Sequence, residues 1–154
     1  MSSMKIVLAT KKDKNQLLDY FKHYKIKEVL DNRIDCYLSH NFTVVAKDKD
    51  KIVGTLQWYI KEDPRRGIVE FEEVHVLQDY RSKRIGASLV KFAIQSVKNY
   101  FKKIQTTPRR IFLFVSEENE AAKTLYESND FKLFSVVGNL FSETEKELLY
   151  SLDL

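Results

Sequence analysis

The stretch Ile68–Phe101, IVEFEEVHVLQDYRSKRIGASLVKFAIQSVKNYF, decides how the rest of the 154-residue chain is read. It passes from an apolar strand through a short charged turn into an amphipathic helix. The turn gathers Arg81, Lys83 and Arg84 and brings Gly86, one of only four glycines, to the point where the helix begins. The first N–H groups of a helix have no intrahelical acceptor and sit at the positive end of its dipole. An anion placed there gains hydrogen bonds and charge stabilisation together, and a residue without Cβ lets it approach the backbone. The local design is that of a phosphate site.

Working outward, Leu89, Val90, Ala93, Ile94, Val97, Phe101 and Ile104 form one stripe, with Lys91, Gln95, Lys98 and Lys102 opposite, which predicts a helix packed on a sheet. In the strand before it, Val69 and Phe71 are apolar on one alternation and Val74 and Val76 on the other. A bulge near Glu72-Glu73 accounts for the change of phase, as does burial of both faces. Upstream, Lys5–Ala9 suits a first strand, and Thr10 or Asp13 can cap a helix. Leu17, Leu18, Phe21 and Tyr24 fall at helical spacing, and Val29, Leu30, Ile34, Tyr37 and Leu38 continue a second helix beyond an exposed bend at Lys22–Lys27. Phe42–Ala46 and Ile52–Ile60 read as an antiparallel pair, and the turn Asp63-Pro64-Arg65-Arg66-Gly67 returns the chain to Ile68 as the third strand of a meander. Downstream, Thr106-Thr107-Pro108 ends the helix. Ile111–Val115 follows as a strand reached by a parallel crossover, then a helix over about Asn119–Ser128 and strands at Phe131–Val137 and Leu148–Leu154.

A hydrophobic content of 44% over this length suits one domain, residues 1–154. The chain has no apolar run near the roughly 20 residues that span a bilayer, and its opening lacks the apolar segment of a secretory signal, so a soluble, intracellular protein is expected. Cys36 is the single cysteine and excludes an internal disulfide. With only His23, His40 and His75 beside it, no cluster has zinc spacing, and no metal is expected. The 26 basic and 22 acidic residues, net +4, are scattered, which argues against a nucleic-acid stripe and for a small polyanion such as a nucleotide.

The order of elements, together with YRSKRIGASL, resembles the GNAT superfamily of N-acetyltransferases over nearly the whole chain. That family's pyrophosphate signature is R/Q-x-x-G-x-G/A. Arg81 and Gly86 match it, whereas Arg84 stands in place of the middle glycine. This leaves two outcomes open: a slightly displaced coenzyme, or an Arg84 turned outward that adds charge near the phosphates. A second segment, Asn119, Ala122, Leu125, Tyr126 and Phe131, is similar to the family's N-x-x-A-x-x-L-Y-x-x-x-G-F, with Asp130 replacing the glycine. FEEVHVLQDYR is also locally similar to spermidine/spermine and related diamine acetyltransferases, which carry two adjacent acids there.

The resemblance implies an α/β (α+β) fold: a mixed, mostly antiparallel central sheet of six to seven strands flanked by about four helices. It implies a cytoplasmic enzyme that moves an acetyl group from acetyl-CoA, its cosubstrate, to a primary amine within a ternary complex, without nucleic acid or membrane, and it leaves a homodimer open. It places the cofactor on the backbone of Val74, His75 and Val76, on Arg81, Ser82, Lys83, Arg84, Ile85, Gly86 and Ala87, and on Asn119, which is equally a favoured helix N-cap. Tyr126 takes the position of the acid that protonates the departing thiolate, or is a core aromatic. Glu72 or Glu73 would accept the amine's proton, hold a cationic substrate, or be a solvated acid. His75 is a base by residue type and a packed histidine by position. Trp58, Tyr59, Tyr20, Tyr24 and Tyr37 either line an acceptor pocket or fill the core. The replaced glycines at Arg84 and Asp130 also fit a coenzyme A-binding sensor without turnover.

Overall fold

The computed structural model describes residues 4–72 and 74–154. Its elements are β1 Met4–Leu8, α1 Lys14–Tyr20, α2 Lys27–Ser39, β2 Phe42–Asp48, β3 Lys51–Ile60, β4 Ile68–Phe71, β5 His75–Val76, α3 Ile85–Lys103, β6 Arg110–Ser116, α4 Glu120–Glu127, β7 Lys132–Gly138 and β8 Lys146–Asp153. The expected class is met by mostly antiparallel strands and four α-helices among the described residues. Among the described residues there are eight strands rather than six or seven. The run read as one strand from Ile68 to Val76 is two, β4, which pairs with β6 in parallel, and β5, which pairs with β3 antiparallel. The phase change between Phe71 and Val74 falls at the break between them; of Glu72-Glu73, near which the bulge was expected, Glu73 lies outside the described residues.

The chain divides into two compact units, Met1–Tyr59 with Glu73–Ile94, and Ile60–Glu72 with Gln95–Leu154. In the first, β1 pairs with β2 and β2 with β3, all antiparallel, with a register shift between Ala46 and Lys47. Leu17, Tyr20 and Phe21 of α1 and its end meet Leu30, Ile34 and Tyr37 of α2 over Val45 and Ile52. Spacings of three and four residues put each trio on one helix face. Val29 falls off that stripe and is exposed. Tyr20 and Tyr37 are thus core residues, as is Trp58, whose ring stacks on Phe42 at 3.9 Å.

Asp13 ties the start of α1 to β2. Its carboxylate accepts the Thr10 N–H at 2.8 Å and the Lys47 ammonium at 2.5 Å. It thereby caps the short turn at Lys11–Asp13 rather than the first turn of α1 itself. Burial pushes this carboxyl up, but the Lys47 ammonium and the Thr10 N–H outweigh it and hold the group below the ordinary 3.8.

In the second unit, β4 and β6 form the expected parallel crossover pair, and β6, β8 and β7 follow antiparallel. Gly67 closes the turn before β4 with φ of 68°, and a Cβ there would stand 2.6 Å from the Thr107 carbonyl. Strand β6 alternates, with Ile111, Leu113 and Val115 buried. Tyr150 on β8 donates to Glu127 at the end of α4 at 2.7 Å; burial and that carboxylate push its phenol up to about 12.

Helix α3 is the element the sequence described best. Leu89, Val90, Ala93, Val97 and Phe101 are fully buried, and Lys91, Gln95, Lys98 and Lys102 are exposed. Each large side chain on the stripe contributes about 1.5–3 kcal/mol. Ile104 lies past the helix end.

The Asp13 linkage is testable by denaturant unfolding. Asp13→Asn should cost about 1–3 kcal/mol at neutral pH, because it leaves Lys47 without its partner. A folded-state pKa below the unfolded one stabilises above the unfolded value and loses that effect as pH falls through the folded value. The gap between wild type and variant should therefore be full above about pH 4 and shrink in stronger acid.

Candidate active site

Within the first unit, the loop between β5 and α3 is pinned at both ends. Leu77 N–H donates to the Val53 carbonyl at 2.9 Å, continuing the contact of β5 with β3. Tyr80 donates to Asp48 at 3.0 Å; this bond and the carboxylate's charge push the phenol up and fix the loop to the β2–β3 turn. The Lys83 ammonium rests over the Tyr80 ring at 5.0 Å, and Arg81 donates its Nε–H to the Val76 carbonyl at 3.1 Å. Ser82 and Arg84 both adopt left-handed backbone, with φ of 62° and 60°. That conformation costs an L-residue about 1–2 kcal/mol and glycine almost nothing. Arg84, standing where the resembled motif has its middle glycine, adopts a conformation that glycine takes readily.

The result is an open helix start. Arg84's carbonyl accepts both the N–H and the Oγ–H of Ser88 at 3.1 Å, so the helical ladder begins at Ser88. The N–H groups of Ile85, Gly86 and Ala87 precede it and are those a helix leaves without an intrahelical acceptor. Arg81 through Arg84 are exposed, so three cationic side chains and the helix N–H groups make a donor set suited to a pyrophosphate. Gly54 of β3 sets how near this helix start lies to the strand: a Cβ there would stand 3.1 Å from Leu89 and 3.3 Å from Ile85.

His75 shares this unit. It lies across from Thr55 on β3 and is half-buried. The Tyr20 hydroxyl lies 2.6 Å from its Nδ1 and 2.9 Å from its carbonyl oxygen, and the His23 ring is 6.1 Å away. A cavity of about 740 Å³ lies beside Tyr20, lined also by Gln16, Asp19, the β2–β3 turn from Asp48 to Ile52, and Leu77.

The second unit holds Asn119, Tyr126 and Glu72. Asn119 is the N-cap of α4, its Oδ1 accepting the Ala122 N–H at 3.0 Å. Tyr126 is 3% exposed and meets Phe131 edge-on at 5.5 Å, and its carbonyl accepts the N–H of Phe131. Between them Asp130, in place of the second motif's glycine, has φ of 67°. Glu72 is half-buried, and Glu73 is outside the described residues. Gly54 and Asp48 were not singled out from the sequence, and Tyr20 was named without its contact to His75; these contacts are long-range and leave no local pattern.

Residues 12–131 match the model of the acetyltransferase (GNAT) family. The chain belongs to that family. Solved structures share its fold. An acetyltransferase of the GNAT family from Streptococcus pneumoniae is 19% identical, with 99% of each chain covered and a TM-score of 0.78. An N-acetyltransferase from Staphylococcus aureus Mu50 is 18% identical over 99% of each chain, with a TM-score of 0.79. The yncA structure from Salmonella typhimurium, with its cofactor acetyl-CoA, is 18% identical over 99% of this chain and 94% of its own, with a TM-score of 0.79. No curated protein is a significant match. As a GNAT member the chain is an acetyltransferase with acetyl-CoA as cosubstrate. Among the described residues no helix is long and apolar enough to cross a membrane.

The left-handed replacements make a thermodynamic prediction. Arg84→Gly should raise stability in thermal or denaturant unfolding by up to about 1 kcal/mol, relief of the left-handed strain being partly offset by glycine's greater unfolded-state freedom. Asp130→Gly should gain less, since aspartate tolerates this region better than arginine.

Proposed function

We propose that this acetyltransferase is an N-acetyltransferase of one domain, moving the acetyl group to a primary amine by direct transfer in a ternary complex. The observation that carries the reading is Arg84 at φ of 60°: with its glycine replaced, the loop still presents the N-terminus of α3. The S. aureus neighbour, named an N-acetyltransferase, supports nitrogen as the acceptor atom. In this reading the N–H groups of Ile85, Gly86 and Ala87 bind the pyrophosphate with the charges of Arg81, Lys83 and Arg84 and the Ser82 turn. The backbone of Val74, His75 and Val76 receives the pantetheine arm, and Asn119 adds a contact from the start of α4.

Chemistry then needs the ammonium neutralised, the oxyanion stabilised and the thiolate protonated. Glu72 or Glu73 accepts the proton of the acceptor ammonium, directly or through water, and Tyr126 gives its proton to the departing sulfur. A phenol suits this step because its proton affinity is near that of a thiol.

Free thiol released from acetyl-CoA in the presence of an amine panel tests this. Tyr126→Phe, which keeps the buried ring, should lower kcat roughly 10²-fold or more and leave acetyl-CoA affinity unchanged. Tight acetyl-CoA binding without thiol release on any amine, lysine peptide or peptide N-terminus would assign the chain instead to coenzyme A sensing.

A further inference from the structure

Strand β7 ends its sheet: among the described residues it pairs only with β8, so one side of its backbone meets no other strand. An edge of this kind is a template for another chain unless charges, proline or a bulge blunt it. The β7 sequence KLFSVVG has no proline and one charge, Lys132 at its very start. Leu133, Phe134 and Val136 are each more than half exposed, and Leu140 and Phe141 continue the exposed apolar surface into the turn toward β8. The blunting device is a register shift between Leu133 and Ser135, which leaves Phe134 without an opposite residue on β8. Beyond it, Ser135–Gly138 runs in regular register with β8.

Two features of this edge bear on what covers it. The first is charge. At the turn, Glu143, Glu145 and Glu147 outnumber Lys146, and burial together with the charge of Glu145 pushes the Glu147 carboxyl up. At the opposite end Arg110 donates to Asp153 at 2.7 Å; that bond and the charges of Arg110, Arg109 and Lys132 hold the carboxyl below the ordinary 3.8. The hairpin is therefore acidic at its turn and basic at its base. The second feature is space. A Cβ built on Gly138 would find no neighbouring heavy atom within 4 Å, whereas Phe134, three residues into the strand, exposes a large ring over which the Arg110 guanidinium lies at 5.2 Å.

We propose that β7 is a self-association surface whose partner is a second copy of this chain, added antiparallel about a two-fold axis so that the sheet continues across both. Reversal of direction sets the acidic turn of each copy against the basic base of the other, whereas a parallel partner would set like charges together. With the axis at Val136, that residue lies beside Val136 of the second copy, Ser135 lies opposite Val137, and Phe134 lies opposite Gly138. Each ring then covers the open side of a glycine across the strand pair. Phe134 is the bulged residue on each copy, so the bulges fall outside the paired segment and limit its length rather than forbid it. The isologous contact closes after two copies.

Sedimentation of the full chain tests this. A dimer should fill in between about 1 and 100 µM, the range expected of a small interface. Val136→Lys, which puts two charges side by side on the axis, should raise the dissociation constant about tenfold or more while leaving the circular dichroism unchanged. Lys132→Glu and Glu145→Lys should each weaken the dimer, and the two together should restore it, because in the antiparallel arrangement they meet across the pair. Amide hydrogen exchange at Ser135–Gly138 should slow as concentration rises. A wild type that stays monomeric at about 100 µM, or a dimer that Val136→Lys leaves intact, overturns the proposal; a double charge reversal weaker than either single one overturns the antiparallel arrangement.

Discussion

The loop between β5 and α3 depends on a backbone constraint that two residues meet from opposite sides. Arg84 turns left-handed where the chain leaves the loop and starts α3, and Gly54 must lack a side chain for the first turn of that helix to lie against β3. A β-carbon at Gly54 would press on Ile85 and Leu89, the two residues that seat the helix start. The buried stripe from Leu89 to Phe101 then holds the helix as a rigid mount, so the cost of the strained turn is met by packing beyond it. Tyr80 supports the same loop from the other end, bonding Asp48 while carrying Lys83 on its ring.

Around that mount the first unit assembles groups of different character. The loop supplies cationic and N–H donors, whereas β5, two residues long, places His75 against the hydroxyl of a core tyrosine. The second unit holds a buried tyrosine, Tyr126, on a helix that begins on an asparagine cap and is followed by a left-handed non-glycine residue, Asp130. Both positions at which the resembled motifs have glycine thus hold left-handed non-glycine residues.

Much of this was legible in the residues, and the rest was hidden for physical reasons. The α3 stripe announced itself because a helix face repeats every three to four residues, and the loop because basic residues and Gly86 meet a helix start. The division of Ile68–Val76 into two strands was signalled by the change of phase between Phe71 and Val74, although a bulge gives the same pattern. The aromatics set down as either pocket or core proved to be core at Tyr20, Tyr37 and Trp58, since composition alone does not tell which face of an element is covered. The Tyr20–His75 contact spans 55 residues and has no local signature. Likewise nothing near Gly54 tells that a helix from beyond the next two strands will rest on it.

In the proposed function the amides at the start of α3 bind the pyrophosphate of coenzyme A. Amide resonances of Ile85, Gly86 and Ala87, followed by NMR through titrations with coenzyme A and with pantetheine, test this binding. Large, saturable shifts are expected at these three positions with coenzyme A and none with pantetheine, which lacks the pyrophosphate. Equal shifts with both ligands, or shifts elsewhere that leave these amides unmoved, would contradict it.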